Sequence, residues 1–321
     1  MHRWTDLAQV PRDFGPSVVT IGNFDGVHRG HRSVLTRMVA DARAAGAKAV
    51  VVTFDPHPRM LHNPDDAPEL ICGIEDRLEL LAETGLDAVL VQPYTWEFAR
   101  QSPEEFVRRF LVDGLRAATV VVGRDVRFGW RNEGDLSTML ALGERYGFSV
   151  EVIDDVRPSS EKAHRRWSST WVRELLAEGR VAEAAEILGR PHRVRGVVVR
   201  GDARGRDLGF PTANLSPDSV GMIPADGVYA GWLRRTSAAD AAEPEPRMPA
   251  AISVGTNPTF NGTTRRVEAY VLDRTDLDLY DDEVLLEFVD AIRPTLRFGS
   301  VDELVATMTD DVAKARAILG V

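Results

Sequence analysis

Residues 20–31 read TIGNFDGVHRGH, directly after an apolar Val18-Val19 pair. The stretch sets His28 and His31 three residues apart, with an aspartate and with glycines at 22, 26 and 30. Glycines allow close backbone approach, and Gly30-His31 opens a helix whose free amides and positive dipole end attract phosphate. Imidazoles placed there can donate hydrogen bonds to phosphate oxygens and to the charge that grows on a departing pyrophosphate. The same His-x-x-His spacing can hold zinc. Zinc needs three or four ligands, however, and neither a helical His-Glu-x-x-His nor a cysteine pair supplies the rest. Phosphate contact is the stronger reading.

A second dense stretch is GDARGRDLGFPTANL, residues 201–215. Gly201, Gly205 and Gly209 give the backbone freedom, and Arg204 and Arg206 bring charge. Thr212 and Asn214 follow Pro211 and fall on one side of an extended chain, because side chains alternate along it. A hydroxyl and an amide oxygen are hard donors that suit Mg²⁺, which keeps waters and substrate phosphates as its other ligands. Taken alone, the run reads first as a glycine-rich loop with an Asn-stabilised turn.

Composition narrows the partners. The chain has 321 residues, 44% of them hydrophobic and 27% charged, with a net charge of −10. That length favours about two domains. An acidic balance argues against nucleic acid or an anionic membrane surface as a partner. One cysteine, Cys72, excludes an intrachain disulfide and reads as an inert thiol. The N-terminus lacks the apolar core of a signal peptide, and no apolar run reaches the ~18 residues of a membrane span, so a cytoplasmic protein is expected. Nothing in the sequence indicates an oligomer. Of the 39 basic residues only Lys48, Lys162 and Lys314 are lysines, and none follows a glycine. A Walker-type phosphate loop is therefore absent. Phosphates, if handled, fall to arginines, histidines, backbone amides and a metal.

The elements that position these residues change character along the chain. Strands are expected at 17–21, 48–54, 87–92, 118–122 and 149–153, apolar throughout and separated by helices. The helix over 31–44 carries Val34, Leu35, Met38, Val39 and Ala42 on one face. Another starts at SPEEF, with Ser102 and Glu105 as a capping box and Pro103 in the first turn. This alternation predicts a parallel sheet covered on both faces, and the histidine stretch then lies at its carboxyl edge, where open α/β folds bind ligands. Beyond about residue 190, runs at 193–200, 227–233, 250–254, 265–272 and 283–289 follow one another without helices, which predicts an antiparallel barrel. A helix from about 301, capped by Ser300 and Glu303, closes the chain. The boundary is expected near 186–192, giving domains 1–186 and 187–321. The Ala/Pro/Glu-rich stretch 235–247 reads as a mobile hairpin loop.

GNFDGVHRGH, including Gly22, Phe24, Asp25, His28, Gly30 and His31, resembles the HxGH signature of the nucleotidylyltransferase superfamily. The second signature of that superfamily is similar to SSTWVR, with Ser168, Ser169, Thr170 and Arg173. Hydroxyl residues there can cap a helix facing phosphate, and Arg173 one turn on can clamp it bidentately. A plain N-cap role for the serines is compatible with this. The chain more specifically resembles prokaryotic bifunctional riboflavin kinase/FAD synthetase, from about residue 17 to 310. TFDPHPRML, with His57 implied as a further nucleotide contact, and VGRDVRFGWRNEGD, with Asp125 near an adenine–ribose site, also match. The PTAN run is similar to the riboflavin kinase signature.

The resemblance implies a Rossmann-like nucleotidylyltransferase domain followed by a riboflavin-kinase barrel. It implies that Thr212 and Asn214 bind Mg²⁺ with ATP, and that Gly201, Arg204, Gly205, Arg206, Gly209 and Pro211 line the kinase site. Glu268, in RRVEAYVLD, is implied as the base for the riboflavin 5′-hydroxyl, although a strand glutamate is otherwise an ordinary solvated side chain. His28, His31 and Arg173 are implied to stabilise adenylyl transfer from ATP to FMN, giving FAD. Two residues depart from the pattern: Val126 replaces a usual Phe, and Asp281 replaces the glycine of Asp-Leu-Tyr-Gly. In a monofunctional alternative, one module keeps its shape but acts as a flavin-binding regulatory domain.

Overall fold

The computed structural model describes the chain except for residues 154–164, 202–207, 237–246 and 257–264. Arg204, Gly205 and Arg206 lie outside the described residues, as does most of the 235–247 stretch. The chain divides into two units. One is Met1–Pro68 with Ile74–Trp167; the other is Glu69–Gly73 with Ser168–Val321.

In the first unit, strands β1 (His2–Trp4), β2 (Ser17–Ile21), β3 (Lys48–Asp55), β4 (Ala88–Pro93), β5 (Ala117–Gly123) and β6 (Ser149–Ile153) form one sheet. Their order is β1-β4-β3-β2-β5-β6, and all pairs are parallel. Five of these strands are the expected ones. β1 is an addition: with only HRW it is too short to carry a period, and only Trp4 of the three is buried. Val50, Val51 and Val52 of β3 are all buried, on both faces of the sheet. This is why the run is apolar throughout rather than alternating.

Helix α1 (Arg29–Ala44) buries Leu35, Met38, Val39 and Ala42, the expected stripe, with Val34 half-buried at its border. The remaining helices of this unit are α2 (Pro58–His62), α3 (Ile74–Ala82), α4 (Trp96–Ala99), α5 (Pro103–Phe106), which continues as a π-helix over Val107–Gly114, and α6 (Leu136–Tyr146). Both halves of the Ser102–Glu105 capping box form at the start of α5.

The second unit opens with α7 (Ser169–Ala177) and α8 (Val181–Leu188). A closed barrel follows, built from β7 (His192–Val199), β8 (Thr212–Leu215), β9 (Gly227–Arg235), β10 (Met248–Thr256), β11 (Arg265–Val271) and β12 (Glu283–Pro294). Around the barrel the order is β10-β11-β8-β7-β12-β9, and the neighbours are antiparallel. The TANL run, read from sequence as extended chain, is β8. Register shifts at Phe288/Asp290 and Ala291/Arg293 mark irregularities in β12, the longest strand of the barrel.

Helix α9 (Val301–Leu319) starts on Ser300, whose hydroxyl accepts the N–H of Glu303 at 3.2 Å. It is fixed to the barrel by Arg293, which grips Asp311 with Nε to Oδ1 at 2.9 Å and Nη2 to Oδ2 at 2.7 Å. Both side chains are largely buried, so this two-pronged pair is shielded from the screening that weakens surface ion pairs.

Candidate active sites

At the carboxyl edge of the first sheet, the 22–28 turn joins β2 to α1. Phe24 and Val27 have φ of 48° and 38°, a left-handed conformation that non-glycine residues adopt at a cost. Such a turn needs external ties. Gly22 N–H donates to Val52 O at 3.0 Å, and the Thr53 hydroxyl donates to Asn23 O at 3.2 Å. Thr53 and Phe54 are held in turn by Arg77, whose fully buried guanidinium donates to Phe54 O at 3.0 Å.

His28 is the N-cap of α1, with Nδ1 accepting the N–H of His31 at 3.3 Å. Because Nδ1 accepts, the neutral ring carries its proton on Nε2. The two imidazoles stack, with centroids 3.6 Å apart and planes 18° from parallel. Gly30 makes room for them: a Cβ there would lie 3.1 Å from the His28 ring. The glycine of the His-x-Gly-His spacing thus has a steric reason. Burial, and then the neighbouring His28, hold the His31 pKa well below 6.5, so this ring is neutral at physiological pH. His31 Nδ1 is buried without a hydrogen-bond partner, which leaves capacity for a ligand.

The structure brings His57 to the same edge. It caps α2 by accepting Arg59 N–H on Nδ1 at 3.2 Å, and its Nε2 meets the Asn23 carboxamide at 3.0 Å. Phe24, Asp25 and His28 are buried in the turn itself. Asp125, at the end of β5, is exposed and lies 3.7 Å from Arg166.

Beside the turn is a cavity of about 250 Å³ that the sequence did not reveal. Its wall carries the rings of Phe54, Tyr94, Phe98, Phe106 and Phe128, together with Gly22 and the polar Asn23, Gln101, Arg127 and Asn132. Tyr94 and Phe98 pack edge-on against one another at 5.4 Å. These residues come from four separate segments, so no local spacing announces them.

In the second unit, Ser168 caps α7 by accepting Trp171 N–H at 3.2 Å, which places Ser169 and Thr170 in the first turn. Arg173 Nε donates to Glu69 O at 2.7 Å.

The barrel assembles the other candidate residues. Glu268 on β11 is the register partner of Asn214 on β8. The Thr212 hydroxyl lies 3.3 Å from Glu268 Oε2, and Asn214 Nδ2 lies 3.3 Å from Thr212 Oγ1. Gly201 completes the cradle, because a Cβ there would lie 2.6 Å from the Asn214 carboxamide. Two cavities flank this cluster. One, of about 460 Å³, is lined by Gly209, Pro211, Thr212 and Tyr280; the other, of about 210 Å³, by Thr212, Glu268, Arg293 and Met308. Thr212 is common to both walls.

Residues 10–170 match the FAD synthetase family model, and residues 188–319 match the riboflavin kinase model. The chain is 36% identical over 315 residues to the bifunctional riboflavin kinase/FMN adenylyltransferase of Escherichia coli K12, covering 98% of this chain and 96% of the relative. It is 34% identical to the protein of the same name from Listeria monocytogenes, covering 98% and 93%. This chain belongs to the bifunctional riboflavin kinase/FMN adenylyltransferase family. Its fold is also similar to that of a crystal structure named macrolide-efflux protein from Streptococcus pneumoniae, at TM-score 0.83 and 29% identity over 98% of both chains. Among the described residues, no helix is long and apolar enough to cross a membrane.

Val126 and Asp281, read from the sequence as departures from the resembled pattern, both have a visible place. Val126 lines the aromatic cavity, where a smaller side chain leaves more room than a Phe would. Asp281 adopts φ 65°, so the turn keeps the left-handed backbone that a glycine would supply. Aspartate is one of the few residues that tolerate that region.

Proposed function

We propose that the two modules carry out consecutive steps of flavin cofactor synthesis, with ATP as the donor in both. In the barrel, the 5′-hydroxyl of riboflavin attacks the γ-phosphorus of ATP, giving FMN and ADP. In the first module, a phosphate oxygen of FMN attacks the α-phosphorus of a second ATP, giving FAD and releasing pyrophosphate.

The observation that carries the kinase assignment is the shared position of Thr212. A base for the acceptor hydroxyl must lie where riboflavin binds, so the cavity containing Glu268 is the flavin side. The other cavity then takes ATP, and Thr212 stands where the phosphoryl group passes between them. Glu268 orients the hydroxyl and receives its proton. The hydroxyl of Thr212 and the carboxamide of Asn214 are hard donors that fit Mg²⁺, and Gly201, lacking a Cβ, lets the carboxamide lie against the backbone there. When bound, Mg²⁺ would neutralise charge on the ATP phosphates.

In the first module, no side chain needs to become covalently bonded. His28 and His31, at the start of α1, donate to phosphate oxygens and stabilise charge on the leaving pyrophosphate. Arg173, with Ser169 and Thr170 at the start of α7, offers phosphate-binding groups of its own. His57 ties the turn through Asn23, and Asp125 takes the adenosine side. The aromatic cavity seats the flat flavin ring. A cytoplasmic setting suits all of these small-molecule substrates.

The test is incubation with ATP, Mg²⁺ and either riboflavin or FMN, with the flavins separated by chromatography and read by fluorescence. Riboflavin should pass through FMN to FAD, and supplied FMN should give FAD. Accumulation of FMN with no FAD would favour the reading in which one module only binds flavin.

A further inference from the structure

We propose that Gln101 reads the polar edge of the flavin ring, accepting the N3–H of its pyrimidinedione; this rests on seating FMN in the aromatic cavity. The wall of that cavity mixes aromatic rings with the polar side chains of Asn23, Tyr94, Gln101, Arg127 and Asn132. Its side-chain oxygen Oε1 is buried and has no hydrogen-bond partner. An acceptor in that position costs stability unless a ligand satisfies it.

The residue is also held rigidly. Its N–H donates to Phe98 O at 3.2 Å, and its carbonyl accepts Trp130 N–H at 2.7 Å. The next residue, Ser102, is tied by the capping box, with its N–H on Glu105 Oε2 at 2.8 Å. The backbone under Gln101 is therefore fixed from three sides before any ligand arrives. A carboxamide carried on such a tied backbone, beside aromatic faces, suits a flat heterocycle that carries its polar atoms on one edge. Isoalloxazine is such a ring: its dimethylbenzene end is apolar and its imide edge presents N–H between two carbonyls. The side-chain amide of Gln101 offers a donor beside its acceptor, so one residue can meet two adjacent atoms of that edge.

The experiment uses the full-length chain with 3-methyl-FMN, in which the imide N–H is replaced, alongside FMN. Wild-type FAD synthesis should show kcat/KM for 3-methyl-FMN lower by about tenfold to a hundredfold, the usual consequence of leaving a buried acceptor unpaired. Gln101→Leu should lower kcat/KM for FMN by a similar factor and then treat the two flavins alike. The KM for ATP and the phosphorylation of riboflavin should not move. Equal use of both flavins by the wild type would overturn the proposal without any variant. So would a Gln101→Leu change that raises the KM for ATP instead of FMN. If the wild type formed no FAD from FMN and ATP, the underlying reading would fail, which is a different result from failure to discriminate.

Discussion

His28 Nδ1 accepts the backbone N–H of His31 at 3.3 Å, so the helix cap and the first imidazole of the motif are one group. Structure and chemistry are therefore confounded in any alanine substitution at this position. His28→Asn separates them, because asparagine caps helices well. The Asn variant should keep its thermal stability while FAD formation falls steeply. His28→Ala should lose activity and, in addition, about 1 kcal/mol of stability. Calorimetry together with FMN-to-FAD assays checks both; an active His28→Asn enzyme would remove the imidazole from the chemistry.

Thr212 and Glu268 face one another across β8 and β11, 3.3 Å apart. Glu268→Gln keeps the shape and removes the proposed base, and should slow riboflavin phosphorylation by about a hundredfold or more. Thr212→Val should also slow it, by removing a hard donor toward the proposed Mg²⁺. Neither change should affect conversion of supplied FMN to FAD, because the proposed adenylyl site lies on other elements. Parallel loss of both activities in a folded variant would refute this division.

His192 is buried in the barrel, with Nε2 donating to Met222 O at 2.6 Å, and burial pulls its pKa down to about 4. A histidine with a depressed folded pKa contributes stability that is complete above about pH 6.5, the unfolded value. That contribution is lost as pH falls toward 4, because only the unfolded chain takes up the proton. A span of roughly two and a half units corresponds to about 3 kcal/mol. Denaturation of the barrel at pH 7 and pH 4.5 should show this acid loss in the wild type. His192→Gln, which can still donate to Met222 O, should reduce it.

Asp281 holds φ 65°, a left-handed backbone that glycine adopts without strain. Asp281→Gly should leave stability near the wild-type value, since relief of strain is offset by greater freedom of the unfolded chain. Asp281→Val puts a β-branched residue at that φ and should cost about 1–3 kcal/mol. Thermal melts of the three proteins decide the point.

The elements were legible where composition and period agreed. β3 was readable because its valines are buried on both sides, and α1 because its apolar positions recur at helical spacing. β1 was not, since three residues carry no period and its pairing with β4 is a long-range choice. Among candidate site residues, those clustered in sequence were found: His28 and His31 in one motif, Thr212 and Asn214 in another. Glu268 needed the family resemblance, because only the β8–β11 register brings it to Thr212. Gln101 and Arg77 gave no local signal. Their importance comes from burial, and from what the surrounding chain fails to offer or accept, which a linear pattern does not encode.

The short run Glu69–Gly73 sits in the second unit although residues on both sides of it belong to the first. Its Glu69 carbonyl accepts from Arg173, its carboxylate accepts Ile223 N–H at 3.3 Å, and Ile71 and Cys72 are buried. The polypeptide thus leaves one folding unit, lends five residues to the other and returns. No single proteolytic nick can release two intact pieces from such a thread. A gene split at the junction would send out a C-terminal product missing a stitch, which is a physical reason for two successive reactions to stay on one chain.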